Sequence, residues 1–314
     1  MWLIDDWRLD GQARIIEDFY SWSDVAFDER VGNTVTVNGI EHYRESVAFG
    51  ERIRIRLINT ANARMVSLSF GPHPAWIMAL DGQPLPKASP MGPDDNVFPG
   101  QRADVIVDLT VGKGGTVPVM DRLNQRRPYA LAAFDYAASG RSSTAKRPAP
   151  APLTPNAIPE PMKQDRLPVS IVMDGGMMRG PSVPWTQRMG MRLRQWAGSR
   201  EAYPSWSLNG KAHMNHGKDH PFEFEIALGR TVEISYENQS SKWHPMHLHG
   251  HHFCELRRNG KPVPMTPWRD TTMVAPRETS VVAFVADNPG DWLIHCHILE
   301  HHAGGTGTQF RVTT

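Results

Sequence analysis

The chain has 314 residues, with 34 Lys and Arg against 33 Asp and Glu, a formal net charge of +1 that argues against a nucleic-acid binder built on a basic face and against a polybasic membrane-surface protein. No apolar run approaches the roughly 18 residues of a spanning helix, so no membrane span is expected, and the start, Met1 to Asp6, shows neither the basic nor the apolar region of a secretory signal. Gly and Pro, 26 of each, suit a turn-rich β protein, and two cysteines, Cys254 and Cys296, cannot form a disulfide framework.

In chain order, residues 34–37, 52–58, 104–108 and 222–226 alternate polar and apolar with period two. That pattern marks half-buried strands. Asn38-Gly39, Asp81-Gly82, Asn209-Gly210 and Asn259-Gly260 mark hairpin turns between them. Many short strands with such turns predict an all-β sandwich fold. Residues 137–164 are Pro-rich and poor in large apolar side chains, so they are expected as an extended linker. It separates a domain at 1–136 from a domain at 165–314. Residues 186–197 are the one stretch expected to be helical.

The two domains read as copies. Gly50 and Asn59 flank one alternating strand as Gly229 and Asn238 flank another. Val37-Asn38-Gly39 matches Leu208-Asn209-Gly210, and Asp81-Gly82 matches Asn259-Gly260. Continuing the alignment sets Ser67 and Ser69 opposite His247 and His249. The first copy has no cysteine, so it is expected to be scaffold, with the chemistry in the second.

Nine of the 14 histidines fall between His244 and His302. They form two motifs: His244-Pro245-Met246-His247-Leu248-His249-Gly250-His251-His252, and His295-Cys296-His297 followed by His301-His302. Alternate residues of a strand share a face. His247 and His249 therefore project together, as do His295 and His297. Cys296 and His244 point to the opposite face, and His301 returns to them through a short loop. The first set, His244, Cys296 and His301, is the His₂Cys ligand set of a blue-copper electron-transfer site. The second is four imidazoles, which suit copper ions that bind dioxygen. Cys296 is covalently continuous with His295 and His297, which gives electrons a short route between the two. Tetrahedral zinc with a solvent ligand would accept His₂Cys too, but zinc has no need of a cysteine bridging two clusters.

These motifs resemble multicopper oxidases, the family of laccases, bilirubin oxidases and bacterial copper efflux oxidases. The resemblance implies two cupredoxin-like Greek-key sandwiches, matching the family's middle and C-terminal domains with the N-terminal domain absent. It implies that His244, Cys296 and His301 bind type 1 copper, that His247 binds type 2 copper, and that His249, His295 and His297 bind the type 3 pair. The implied reaction is one-electron oxidation of phenols, aromatic amines or metal ions, coupled to reduction of dioxygen to water. It also implies a periplasmic or other extracytoplasmic location.

The sequence departs from the family pattern in three places. No His-x-His precedes His244, so half of the trinuclear cluster is expected from a missing domain or another subunit. The axial position ten residues after Cys296 holds Thr306 rather than Met. His302 stands where many members have an acidic residue that assists proton delivery. The other readings are a type 1 copper carrier or copper-binding protein, and an inactive fragment of a three-domain oxidase. Copper nitrite reductases share the two-domain plan, but the His-Cys-His motif favours the oxygen-reducing branch. Met173, Met177, Met178, Met189 and Met191, with His213, Met214, His216 and His220, are read as packing and loop residues. Cys254 is expected to be a small buried apolar residue, His73 a turn residue, and Asp270 a loop holder.

Overall fold

The structure, a computed structural model, describes all residues except 22, 26–28, 111–114, 138–146, 177–185, 187–188, 191–192, 194–203, 214–221 and 264–266. Most of the stretch expected to be helical lies outside the described residues, as do Met177, Met178, Met191, Met214, His216 and His220. By internal contacts the chain divides into two compact units, Met1–Ile15 with Val31–Asn156, and Ile16–Arg30 with Ala157–Thr314. Sequence alone groups Ile16–Arg30 with residues 1–136, whereas the structure packs it in the second unit.

The first unit contains β1 (Trp2–Trp7), β2 (Thr34–Val37), β3 (Tyr43–Val47), β4 (Arg52–Asn59), β5 (Val66–Ser69), β6 (Ala75–Leu80), β7 (Gln83–Pro90), β8 (Asn96–Val97), β9 (Arg102–Asp108), β10 (Thr116–Asp121) and β11 (Tyr129–Tyr136). They form one sheet in the order β2-β1-β4-β9-β6-β7 and another in the order β3-β11-β10-β5-β8. Trp2, Phe70 and Phe134 fill the space between the sheets, all at most 3% exposed. His73 sits in a bend, as expected, but is buried, and its Nε2 lies 3.1 Å from the Tyr136 hydroxyl.

The second unit contains β12 (Leu167–Gly175), β13 (Trp206–Leu208), β14 (Phe222–Ala227), β15 (Thr231–Asn238), β16 (His244–Leu248), β17 (Phe253–Arg258), β18 (Lys261–Pro262), β19 (Trp268–Arg269), β20 (Thr271–Val274), β21 (Thr279–Val285), β22 (Gly290–Cys296) and β23 (Gly307–Thr313). One helical turn, α1 (Leu299–Ala303), lies between β22 and β23. The sheets run β13-β12-β15-β21-β17-β18 and β14-β23-β22-β16-β20.

The two layouts correspond along these paths, with β19, which pairs β17, having no separate counterpart among the described residues of the first unit. β1 runs parallel to β4 as β12 runs parallel to β15, and β3 to β11 as β14 to β23. The chain is therefore all-β, built from two cupredoxin-like sandwiches, and the internal repeat is structural. The turns agree in backbone conformation. Asn38 and Gly39 have φ of 55° and 76°, and Asn209 and Gly210 have 49° and 76°, the left-handed pair of a type I′ hairpin.

Asn59 and Asn238 show why the repeat keeps an asparagine. Asn59 donates to Arg64 O and Val97 O, and Asn238 to Lys242 O and Val274 O. Each ties the end of one sheet to the loop leading into the next, where β5 and β16 begin. That anchoring satisfies buried carbonyls which would otherwise be orphaned, and in the second unit it fixes the approach to His244.

The segment Ile16–Arg30 is held by a buried charge. Arg30 is 4% exposed, pairs with Asp18, and lies 3.7 Å from Asp24. The Glu300 carboxylate on α1 accepts the Arg30 backbone N–H.

Candidate metal centre

β16 and β22 are antiparallel neighbours, with Met246 opposite Cys296 and His247 opposite His295. The pleat then sends His247, His249, His295 and His297 to one face and His244, Met246 and Cys296 to the other. α1 brings His301 back to Cys296, and its chain turns so that Thr306 N donates to His301 O and Cys296 N donates to Thr306 O.

His244, Cys296 and His301 are buried, and one ligand atom from each lies within 4.8 Å of the others. Cys296 Sγ is 3.6 Å from His301 Nδ1. Burial pushes the Cys296 thiol up from its ordinary value. His244 is held well below the imidazole range, by burial first and then by the neighbouring His301. His301 is lowered as well, burial outweighing the upward pull of Glu29. These directions favour neutral imidazoles with available lone pairs beside a thiol that a cation would have to deprotonate.

The hydrogen bonds assign which lone pairs. The Ser240 hydroxyl donates to Asn238 Oδ1 at 2.7 Å and faces His244 Nε2 at 3.1 Å. Having used its proton, Ser240 accepts from Nε2–H, so His244 keeps its lone pair on Nδ1. That Nδ1 is buried with no hydrogen-bond partner among the described residues. On the other side Glu29 Oε1 lies 3.4 Å from His301 Nε2, and Lys242 Nζ is 3.5 Å from the same oxygen. Both imidazoles thus turn Nδ1 inward and hold Nε2 against an outer partner.

The opposite face uses the other nitrogen. His247 Nδ1 lies 3.0 Å from Asp270 O and 2.9 Å from Thr271 Oγ1. His295 Nδ1 lies 2.8 Å from Cys296 O. A carbonyl only accepts, so both rings are protonated at Nδ1 and present Nε2. His249 and His295 bring their Nε2 atoms to 2.9 Å. The ring of His297 is 5.8 Å from those of His247 and His295, centroid to centroid. Desolvation, followed by His302, pushes His295 down to about 2, and desolvation followed by His247 lowers His249. His302 packs against His295 with ring centroids 4.4 Å apart and the rings tilted by 52°.

The seven residues expected as ligands, His244, Cys296 and His301 and the set His247, His249, His295 and His297, therefore gather in two back-to-back groups. Several neighbours were not legible in sequence. Trp206 packs its indole 4.1 Å from the His301 ring and 5.0 Å from that of His244, and donates Nε1–H to Val25 O at 2.6 Å. Its slot depends on missing side chains, since a Cβ on Gly176 or Gly304 would come within 2.9 and 2.7 Å of the indole. Glu29, Ser240 and Trp206 carry no motif, and only proximity in the fold reveals them. Asp270 does more than hold a loop: it is buried, with Oδ1 3.4 Å from His247 Nδ1. His251 leaves the cluster and packs on Phe284, Trp292 and Phe310. Cys254 is buried and apolar in role, and Met173 is buried in β12.

Thr306 is 1% exposed, and its hydroxyl has no hydrogen-bond partner among the described residues. No described helix is long and apolar enough to cross a membrane.

Comparison with known proteins places this arrangement. Residues 183–314 match a family model described as Multicopper oxidase. Over 267 residues the chain is 28% identical to the multicopper oxidase MmcO of Mycobacterium tuberculosis, covering 83% of this chain and 46% of that protein. It is 25% identical over 327 residues to a laccase of Cryphonectria parasitica, covering 83% and 50%. The crystal structure of a multi-copper oxidase from Pseudomonas Thermotolerans matches with a TM-score of 0.80 at 23% identity, over 99% of this chain and 67% of that chain. The chain spans about half the length of the curated relatives it matches.

Proposed function

We propose that this chain, whose residues 183–314 match the multicopper oxidase family model, takes single electrons from a small reducing donor and delivers them toward dioxygen. His244 and His301 through Nδ1, and Cys296 through its thiolate, would hold copper at the point of electron entry. His247, His249, His295 and His297 would hold part of the oxygen-reducing cluster. The observation that carries this reading is the buried His244–Cys296–His301 set, with three ligand atoms within 4.8 Å and a buried, unpartnered Nδ1 on His244. Two imidazoles and a soft thiolate match copper in both oxidation states, which is the fit required of a blue-copper site. Copper bound there supplies one-electron redox chemistry.

The chain's own residues do the rest. Ser240 and Glu29 fix the imidazole tautomers, and Trp206 closes one side of the site. Cys296 joins the two groups through its own backbone to His295 and His297. His302, packed against His295, is placed to carry protons to the oxygen-reducing side. The remaining cluster imidazoles come from polypeptide outside residues 1–314, the donor is a phenol, an aromatic amine or a metal ion, and the working location is extracytoplasmic.

A second reading keeps only electron entry and makes the chain a copper carrier. It is favoured by the completeness of the first group beside an open set of four imidazoles in the second. Copper loading, followed by metal analysis and an oxygen electrode, decides between them. Several coppers with oxygen uptake that Cys296→Ser abolishes support the oxidase, and one copper with no uptake supports the carrier. Absence of a thiolate-to-Cu(II) charge-transfer band in the loaded protein removes both.

A further inference from the structure

The two imidazoles beside Cys296 are held differently on their outer edges. His244 Nε2 meets a neutral hydroxyl, that of Ser240. His301 Nε2 meets a carboxylate, that of Glu29, at 3.4 Å. Glu29 comes from a segment far from every ligand motif in sequence, yet its approach is over-determined. On one side of it in sequence, Asp24 O accepts the Glu29 backbone N–H at 3.1 Å. On the other, Arg30 is buried, paired with Asp18, and its backbone N–H binds Glu300, the residue before His301. Val25 O accepts from Trp206, whose indole packs against His301.

Glu29 itself has φ of 52°, the left-handed region that a branched or long side chain rarely occupies. A non-glycine residue held there is sustained by its surroundings. Its side chain is only 19% exposed, and its outward charge is met by Lys242 Nζ at 3.5 Å. A carboxylate that were merely a surface group would not be confined in this way.

We propose that Glu29 is a positioning residue of the metal centre. It accepts the Nε2 proton of His301, locks the ring with Nδ1 toward Cys296, and lends anionic character to an imidazole donor. Metal-bound imidazoles commonly depend on such an outer carboxylate for orientation and basicity. A more basic imidazole stabilises Cu(II) more than Cu(I), because the higher charge gains more from an electron-rich donor. The asymmetry between Ser240 and Glu29 makes His301 the ligand whose donor strength is set by charge, and it makes Ile16–Arg30 an integral part of the site. The copper half of this inference rests on the function proposed above; the tautomer half does not.

The test uses the full chain with Glu29→Gln and Glu29→Ala. Gln keeps an acceptor oxygen and removes the charge, and Ala removes both. In copper-free protein, ¹⁵N NMR of His301 should show the Nε2–H tautomer in the parent and in Glu29→Gln, and a mixture in Glu29→Ala. Titration with Cu(II) and with Cu(I) should show Cu(II) affinity falling by roughly 10-fold in Glu29→Gln and toward roughly 100-fold in Glu29→Ala, with Cu(I) affinity changed less. Equal losses for both oxidation states would reduce Glu29 to a structural prop and overturn the proposal, as would parent-like tautomer and affinities in both variants. A parent that shows the Nε2–H tautomer, lost in Glu29→Ala, but no thiolate-to-Cu(II) band would sustain the positioning role and sink the copper reading instead.

Discussion

The indole of Trp206 lies 4.1 Å from the imidazole of His301, ring centre to ring centre, tilted by 42°, and it meets His244 nearly edge-on at 77°. One fully buried ring thus touches both histidines of the His₂Cys group. It is itself pinned from three directions: by Val25 O at its N–H, and by backbone at Gly176 and Gly304 where any side chain would collide. Rigidity of the His₂Cys group therefore comes from packing beside it as much as from the group itself.

Trp206→Ala should destabilise the protein by about 3–5 kcal/mol, the usual cost of emptying a buried aromatic site. Trp206→Phe should cost less, since it keeps most of the ring and gives up one hydrogen bond to Val25. Gly304→Ala should cost about 1–3 kcal/mol by overpacking. Urea denaturation midpoints check all three. An unperturbed Gly304→Ala would show that the indole has room to move.

Thr306 sits at the position ten residues beyond Cys296, with a buried hydroxyl that has no hydrogen-bond partner among the described residues. A buried, unsatisfied hydroxyl costs on the order of 1–3 kcal/mol. Thr306→Val should therefore stabilise the metal-free protein by about 1 kcal/mol or more, read from thermal or urea unfolding. Thr306→Met would place a thioether beside the His₂Cys group; if it donates to bound copper, it should stabilise Cu(II) relative to Cu(I) and lower the reduction potential of the loaded site. Redox titration reads that shift, and an unchanged or higher potential would mean that residue 306 does not reach the bound copper.

Ser240→Ala removes the acceptor for His244 Nε2–H while leaving the ring buried. The stranded donor should cost about 1–3 kcal/mol. The ring would also be free to exchange tautomers, and copper affinity should fall by roughly 10-fold. Competition against a chelator of known affinity measures the second effect. A variant that loses stability but keeps full affinity would mean that Ser240 supports the loop and not the ring.

Much of this site was legible from strand parity. Period two alone sends Cys296 one way and His295 and His297 the other, and the observed pairing of His247 with His295 follows that rule. Asn-Gly turns marked the hairpins because they require two left-handed residues in succession, and those φ values are present at Asn38-Gly39, Asn209-Gly210 and Asn259-Gly260. What parity does not encode is which distant segment covers a face. Glu29 and His301 meet across 272 positions of sequence, and Ile16–Arg30 has no alternation that would announce its destination. Trp206 precedes the Asn209-Gly210 turn with nothing in its spacing to mark it. His251, at the end of the first histidine motif, packs on the aromatic core, since spacing gives the side of a strand and not the identity of what packs there.

Glu233 supplies a pH dependence away from the metal group. It lies on β15 between Arg166 at 2.7 Å and Arg257 at 2.5 Å. Desolvation pulls its pKa upward, but the hydrogen bonds from Arg166 and Arg257 outweigh it, and the carboxyl is held below its ordinary value of 4.5. A carboxyl with a depressed folded-state pKa adds stability that is fully present above the unfolded value and is lost as pH falls through the folded one. The contribution should therefore persist at neutral pH and decline below about pH 4.5. Both arginines are partly exposed, so solvent screening keeps the total on the order of 1 kcal/mol or less. Glu233→Gln should unfold at lower urea than the parent at pH 7, with the gap closing as the pH is lowered past 4. A gap that stays constant over that range would mean that the side chain acts by packing and not by charge.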